Sequence, residues 1–141
     1  MPKIIGPFIN EYAYLSNFFI ESDGTHVEGE FQAQKTYPPT EWLKVVSPFE
    51  AKRCGRKLKL REDWDSVKIR IMQDLVRKKF QDHPELADKL CYTYRCELVE
   101  INHWCDTFWG VYNGHGMNWL GRILMSVRDV LNQEPLPFHQ P

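Results

Sequence analysis

Between Thr25 and Pro39 the chain writes out a complete short helix, with a start, a polar stripe and a stop. Thr25 precedes Glu28 by three positions, the spacing of a capping box, and Pro38-Pro39 cannot continue a helix, so a helix is predicted from about Val27 to Tyr37. Within it Glu28, Gln32 and Lys35 are spaced four and then three apart, which places them on one face. A carboxylate, an amide and an ammonium then line one stripe beside Phe31. Such a stripe can grip a polar ligand and move protons. It can also be a solvated face, and the capping box by itself accounts for a Glu at position 28.

The same local rules organise the remainder. Residues 3–9 and 12–20 read as short strands, followed by a turn at Ser22-Asp23-Gly24. Ser47-Pro48-Phe49-Glu50 has an N-cap Ser, Pro at the first helical position and Glu at the third, and opens a helix to about Leu58. Asp63 or Asp65 opens the next, with Trp64, Val67, Ile71 and Leu75 as its apolar stripe and Phe80 near its end. Pro84 starts a short helix through Leu90, and residues 97–101 read as a strand. An aromatic, extended stretch runs from Trp104 to Tyr112, and Gly114-His115-Gly116 is a loop. The last helix spans Asn118 to Asn132 with Leu120, Leu124, Val127 and Leu131 on one face. The expected fold class is α+β: a single helix-dominated domain over residues 1–133 with a small β-sheet, and a frayed tail at 134–141.

Composition narrows the function. The formal charge is −1, so no global field attracts nucleic acid or an anionic membrane. No apolar run reaches the length of a membrane span, and no secretory leader is evident, so a cytoplasmic protein is expected. Aromatic residues make up 13% of the chain, enough to line a pocket that stacks flat rings as well as to fill a core. Cys54, Cys91, Cys96 and Cys105 contain no Cys-x-x-Cys pair, and with His103 they match no common zinc spacing. Neither a metal nor a cofactor is expected.

Several side chains are candidates for chemistry, each with a plainer reading. Lys35 is either a solvated charge or an amine made nucleophilic by apolar surroundings. Asp106 lies among aromatics in Trp104-Cys105-Asp106-Thr107-Phe108-Trp109-Gly110, where it is either a general acid or the cap of an Asx-type turn. Gly110, Gly114, Gly116 and Gly121 lie around the start of the last helix, where free backbone N–H groups can hold a phosphate. They form neither a Walker A loop nor a dinucleotide fingerprint, and a plain turn also explains them. Lys52, Arg53, Arg56, Lys57, Lys59 and Arg61 form a basic cluster, a solvated face or, at Arg53 and Arg56, a phosphate clamp.

With those residues in view, the chain resembles the NADAR family from about Tyr12 to Leu131. Leu15-Ser16-Asn17-Phe18 resembles the family's opening motif. Val27-Glu28, Phe31-Gln32 and Lys35 resemble its Val-Glu-His-x-Phe/Tyr-Gln-x-x-Lys, with Gly29 where His is common and His26 where Thr is frequent. Glu50-Ala51-Lys52-Arg53-Cys54-Gly55-Arg56, Trp64-Asp65-Ser66-Val67-Lys68 and Leu98-Val99-Glu100 follow in order. Asp106-Thr107-Phe108-Trp109-Gly110 and Asn118-Trp119-Leu120-Gly121 complete the set.

The resemblance implies an N-glycosidase breaking the bond between ribose C1′ and a nitrogen. The substrates it suggests are ribosylamino-pyrimidine intermediates of riboflavin synthesis. Alternatives are guanine bearing ADP-ribose, making nucleic acid a modified substrate, or ADP-ribose bound without turnover. It implies Glu28, Lys35 and Asp106 as catalytic residues, with Lys35 either anchoring phosphate or forming an imine with the opened ribose. Trp64 and Trp109 would offer flat faces to the base, alongside Phe18 and Phe31. Arg53, Arg56, Asn118 and the amides near Gly110 and Gly121 would hold phosphate, and Asn17 and Gln32 would bond sugar or base.

Overall fold

A computed structural model describes residues 3–133, so the expected frayed tail at 134–141 lies outside the described residues. Among the described residues the fold is α+β and helix-dominated, with five α-helices and one two-stranded sheet. The elements are β1 (Ile4–Ile5), α1 (Val27–Ala33), α2 (Pro48–Gly55), α3 (Trp64–Asp82), α4 (Pro84–Cys91), β2 (Glu97–Leu98) and α5 (Trp119–Gln133). Short 3-10 turns cover Asn10–Leu15 and Glu41–Lys44. The chain forms two compact units, one of residues 3–15 with 80–133, the other of residues 16–79.

In the first unit β1 and β2 pair in parallel, Ile4 opposite Glu97 and Ile5 opposite Leu98. The pleat turns Ile5 and Leu98 into the core and leaves Ile4 and Glu97 exposed. α5 buries Leu120, Ile123, Leu124 and Val127, the face its periodicity predicts, with Leu131 half-buried. Asn118, at φ 54, starts this helix. Its side chain accepts from Glu100 N at 2.9 Å and donates to Leu98 O at 2.9 Å, closing the end of β2. A Cβ at Gly121 would overlap Leu98 O, so a bare Cα lets α5 approach the strand. Buried Arg128 donates to Thr93 O at 2.8 Å and Cys96 O at 2.9 Å, tying down the exit of α4.

The expected strand at 12–20 is not formed. Asn10 takes a left-handed φ of 56 and the chain coils into the 3-10 turn Asn10–Leu15. Its buried residues, Tyr14 and Leu15, are adjacent, and neighbouring side chains on a strand point to opposite faces. The strands expected at 3–9 and 97–101 shrink to two residues each.

The second unit packs α1 against α2 and the 3-10 turn Glu41–Lys44. α2 starts at the predicted N-cap, where the Ser47 hydroxyl accepts from Glu50 N at 3.1 Å, and ends three residues before Leu58. On α3 the buried residues are Trp64, Met72, Val76, Lys79 and Phe80, while Ile71 and Leu75 are half-buried. The core-facing row is thus turned by about one residue from the predicted stripe, because apolar residues occupy two adjacent rows and packing selected the neighbouring one.

Candidate functional site

α1 begins differently from its predicted start. Thr25 is drawn into a turn, its backbone N–H and hydroxyl both donating to Asp23 Oδ1 at 3.1 and 2.7 Å. His26 becomes the N-cap, extended at φ −149 and ψ 145, with Nδ1 accepting from Gly29 N at 2.9 Å. Its Nε2 lies 2.7 Å from Val46 O and donates to it, since the other nitrogen is already an acceptor. A Cβ at Gly29 would run into the His26 ring and Leu43 O, so the buried His cap and the glycine three residues on belong together. The capping box therefore does not form, and Glu28 has no part in capping Thr25.

Glu28 instead turns inward and is 7% exposed. Its backbone N–H donates to Asn17 O at 3.0 Å. One turn on, Gln32 is 5% exposed and its Nε2 donates to Glu28 Oε1 at 2.9 Å, the contact expected at four-residue spacing. The helix stops at Ala33 rather than Tyr37. Lys35 N bonds Gln32 O at 3.2 Å in a tighter turn, and Thr40 N takes Ala33 O at 3.0 Å. Tyr37, which precedes a proline, is disfavoured from the helical region. Lys35 follows the helix end and is half-buried.

Burial sets the electrostatics of this group. Loss of solvent pushes the Glu28 carboxyl above 4.5, against the N–H of Gln32 and the charges of Lys52 and Lys35. Loss of solvent also pulls the Lys35 amine below 10.5, with Arg56 and Lys68 adding to the effect and Glu28 opposing it. A carboxyl that keeps its proton more readily suits acid chemistry, and an amine that loses its proton more readily suits nucleophilic chemistry.

The aromatic residues of this unit are placed in two ways. Trp64 is buried against Phe31, ring centroids 5.0 Å apart, so it forms part of the packed wall behind α1. Phe18 meets the exposed Phe49 edge-on at 4.8 Å, and Lys52 Nζ lies 5.7 Å from the Phe18 centroid. Asn17 donates to Met72 Sδ at 3.5 Å. Arg53 is exposed and ion-paired to Glu50 of its own helix at 2.7 Å, whereas Arg56 contributes to the field at Lys35. Lys52, given no role of its own in the sequence reading, acts on Glu28 by its charge.

Asp106, Trp109, Gly110, Asn118 and Gly121 belong to the first unit. Asp106 is half-buried, and its Oδ1 accepts from Phe108 N at 3.0 Å and Trp109 N at 2.9 Å, the Asx-type turn. Trp109 is half-buried and edge-on to Phe108 at 4.8 Å. Gly110 O accepts from Asn118 N at 3.2 Å. The side-chain amide of Asn118 is engaged with β2, as described above, and Gly121 serves the close approach of α5. Asn102, not singled out from the sequence, organises this loop. Its Oδ1 accepts from Trp104 N and Asp106 N, and its Nδ2 donates to Asp106 O at 2.8 Å.

The NADAR domain family model matches residues 9–132. The N-glycosidase YbiA of Escherichia coli (strain K12) is 38% identical over 134 residues, 86% of this chain and 83% of that protein. A riboflavin biosynthesis protein of Vibrio vulnificus (strain YJ016) is 36% identical over 140 residues, 91% of this chain and 38% of that protein. The NMR structure of the E. coli protein YbiA matches with a TM-score of 0.81 at 35% identity, covering 99% of this chain and 92% of that one.

Proposed function

We propose, because the chain belongs to the NADAR family, that it is an N-glycosidase hydrolysing the bond between C1′ of a ribose or phosphoribose and a nitrogenous base. The observation that carries this reading is the buried Glu28 carboxyl held by Gln32 Nε2 at 2.9 Å, with the charge of the half-buried Lys35 acting on it. The reading is supported by relatives named N-glycosidase and by relatives named for riboflavin biosynthesis. The preferred substrate class is accordingly a ribosylamino-pyrimidine phosphate.

In the reaction, Glu28 in its acid form gives its proton to the departing nitrogen as the C1′–N bond breaks. The carboxylate left behind faces the oxocarbenium-like ribose and stabilises its charge. Water then adds to C1′, and its proton restores the acid. In the variant with a covalent intermediate, the neutral Lys35 amine takes the place of the base at C1′. The ribose ring opens to an imine, and water releases the sugar and regenerates the amine. Gln32 holds Glu28 in place, and the cations Lys52 and Arg56 favour an anionic substrate. Asp106 is proposed as the second carboxylate on the strength of its motif.

The test is chromatography of the purified protein incubated separately with a ribosylamino-pyrimidine 5′-phosphate and with an oligonucleotide carrying ADP-ribosylated guanine. Release of free pyrimidine from the first is the expected result. Turnover of the second alone would transfer the activity to nucleic-acid repair. ADP-ribose binding with no turnover of either would overturn the enzymatic reading.

A further inference from the structure

The amide of Gln32 is held in an unusual way. Its Nε2 donates to Glu28 Oε1 at 2.9 Å, while its Oε1 is buried with no hydrogen-bond partner among the described residues. That oxygen packs directly over the Cα of Gly55, the last residue of α2. The three nearest atoms to a Cβ built on Gly55 are Oε1, Cδ and Cγ of Gln32, with Oε1 in outright overlap. Among the described residues, leaving aside its chain neighbours and the backbone of α2, no other group is as close. A glycine in a helix is less favourable than alanine by about 0.5–1 kcal/mol, so a specific reason for it is expected here.

We propose that Gly55 is a positioning residue for Glu28, acting through Gln32: its bare Cα makes the room in which the carboxamide seats and presents its N–H group to the carboxyl. α2 thereby sets how firmly the carboxyl of α1 is held, without touching it. This rests on the reading of Glu28 as the acid of a glycosidase. Its physical content, however, is a contact between two helices that exists with no substrate present.

A methyl group at position 55 pushes the end of Gln32 aside, because the atoms it meets belong to a side chain and not to backbone. Glu28 then loses the N–H that favours its charged form, and its titration moves to higher pH. The other charged groups acting on Glu28 stay in place. These are Lys52 from α2 and Lys35 beyond the end of α1, while the His26 ring at its start is held by its own two hydrogen bonds. Glu41 and Lys44, from the 3-10 turn that also packs on α1, pair with each other at 2.8 Å.

The experiment is a carbon-13 NMR titration of the Glu28 side-chain carboxyl, assigned with Glu28→Gln, in four proteins without substrate. These are the unmodified chain, Gly55→Ala, Gln32→Ala and the double variant. Gly55→Ala is expected to move the midpoint upward in the unmodified background and to have no further effect once Gln32 is Ala. An unshifted midpoint in Gly55→Ala, or the same shift in both backgrounds, overturns the proposal. Should Gly55→Ala fail to fold, the double variant decides. Folding recovered by removing the Gln32 side chain supports the contact, and failure of the double variant where Gln32→Ala folds overturns it. Because the readout is a proton equilibrium, it stands or falls separately from any turnover assay.

Discussion

Burial disfavours the charged form of Glu28. Its carboxyl is raised above 4.5 by burial, so the folded chain binds that proton more tightly than the unfolded chain does. A carboxyl raised in this sense supports stability below 4.5 and loses that support as pH rises through the raised value. Glu28→Gln keeps the volume and removes the buried charge. Its thermal midpoint at pH 7 is expected to equal or exceed that of the unmodified chain, the gap closing on acidification, as calorimetry across pH can read. Turnover on a confirmed substrate should fall by roughly 100-fold or more, the scale of a lost general acid. A drop in stability with full turnover would contradict both the burial argument and the assigned role. For Lys35 the lowered amine predicts an imine that borohydride traps, leaving a mass increment on that residue alone. Lys35→Arg, always charged, should then lose turnover. Absence of an adduct during turnover, with an active Lys35→Arg, would make the residue a phosphate anchor.

In the loop of residues 102–111, the architectural role of Asp106 can be separated from the catalytic role proposed for it. Asp106 Oδ1 accepts two backbone N–H groups, from Phe108 and Trp109, and Asn102 fastens the other side of the same turn. Asn at 106 retains an acceptor oxygen and Ala does not. Asp106→Ala is therefore expected to cost about 1–2 kcal/mol in urea unfolding, and Asp106→Asn little. The Asn variant then isolates the charge: lost turnover at unchanged stability is the signature expected of the proposed second carboxylate. Unchanged turnover would leave Asp106 with the turn alone. Both roles were legible as alternatives in the sequence, whereas Asn102 carried no local signal. Beyond its short contacts to Glu100 and Trp104, its bonds run to Asp106 and Val111, four and nine residues away, and these exist only once the loop has closed.

For the whole molecule, two buried groups shape stability at alkaline pH, one in each unit. Lys79 is 3% exposed, donates to Ser16 O at 3.1 Å and lies 5.3 Å from the Phe19 ring centroid. Burial pulls its amine from 10.5 down to about 8. Between those values the unfolded chain holds the proton and the folded chain has released it, so stability rises with pH across that window. The rise from this group approaches about 3 kcal/mol, at 1.36 kcal/mol per unit. Tyr14, whose hydroxyl donates to Lys89 O at 3.0 Å, acts in the opposite sense. Burial pushes it from 10.0 up to about 12, so its contribution is lost above pH 10. Unfolding free energies measured by urea titration from pH 7 to 11 are expected to climb and then turn over near pH 10. Lys79→Met should remove the climb and Tyr14→Phe the fall. A profile with the same climb in Lys79→Met would refute the assignment.

What the sequence determined by itself is what short-range stereochemistry controls. Ser47 and Pro48 start α2, Leu120, Leu124 and Val127 mark the buried face of α5, and four-residue spacing brings Gln32 onto Glu28. Motif order was also legible, and with it the family. Only the tertiary structure decided the rest. It chose His26 over Thr25 as the cap, coiled residues 12–15 where a strand was expected, and turned α3 onto Met72 and Val76. It also paired Arg53 with Glu50 and placed Gly55 under Gln32. The physical reason is the same in each case. Caps and spacings act within one turn of chain, whereas burial depends on groups far away in sequence. The properties that make Glu28 and Lys35 chemically interesting, a proton held more tightly and a proton held less tightly, are consequences of burial.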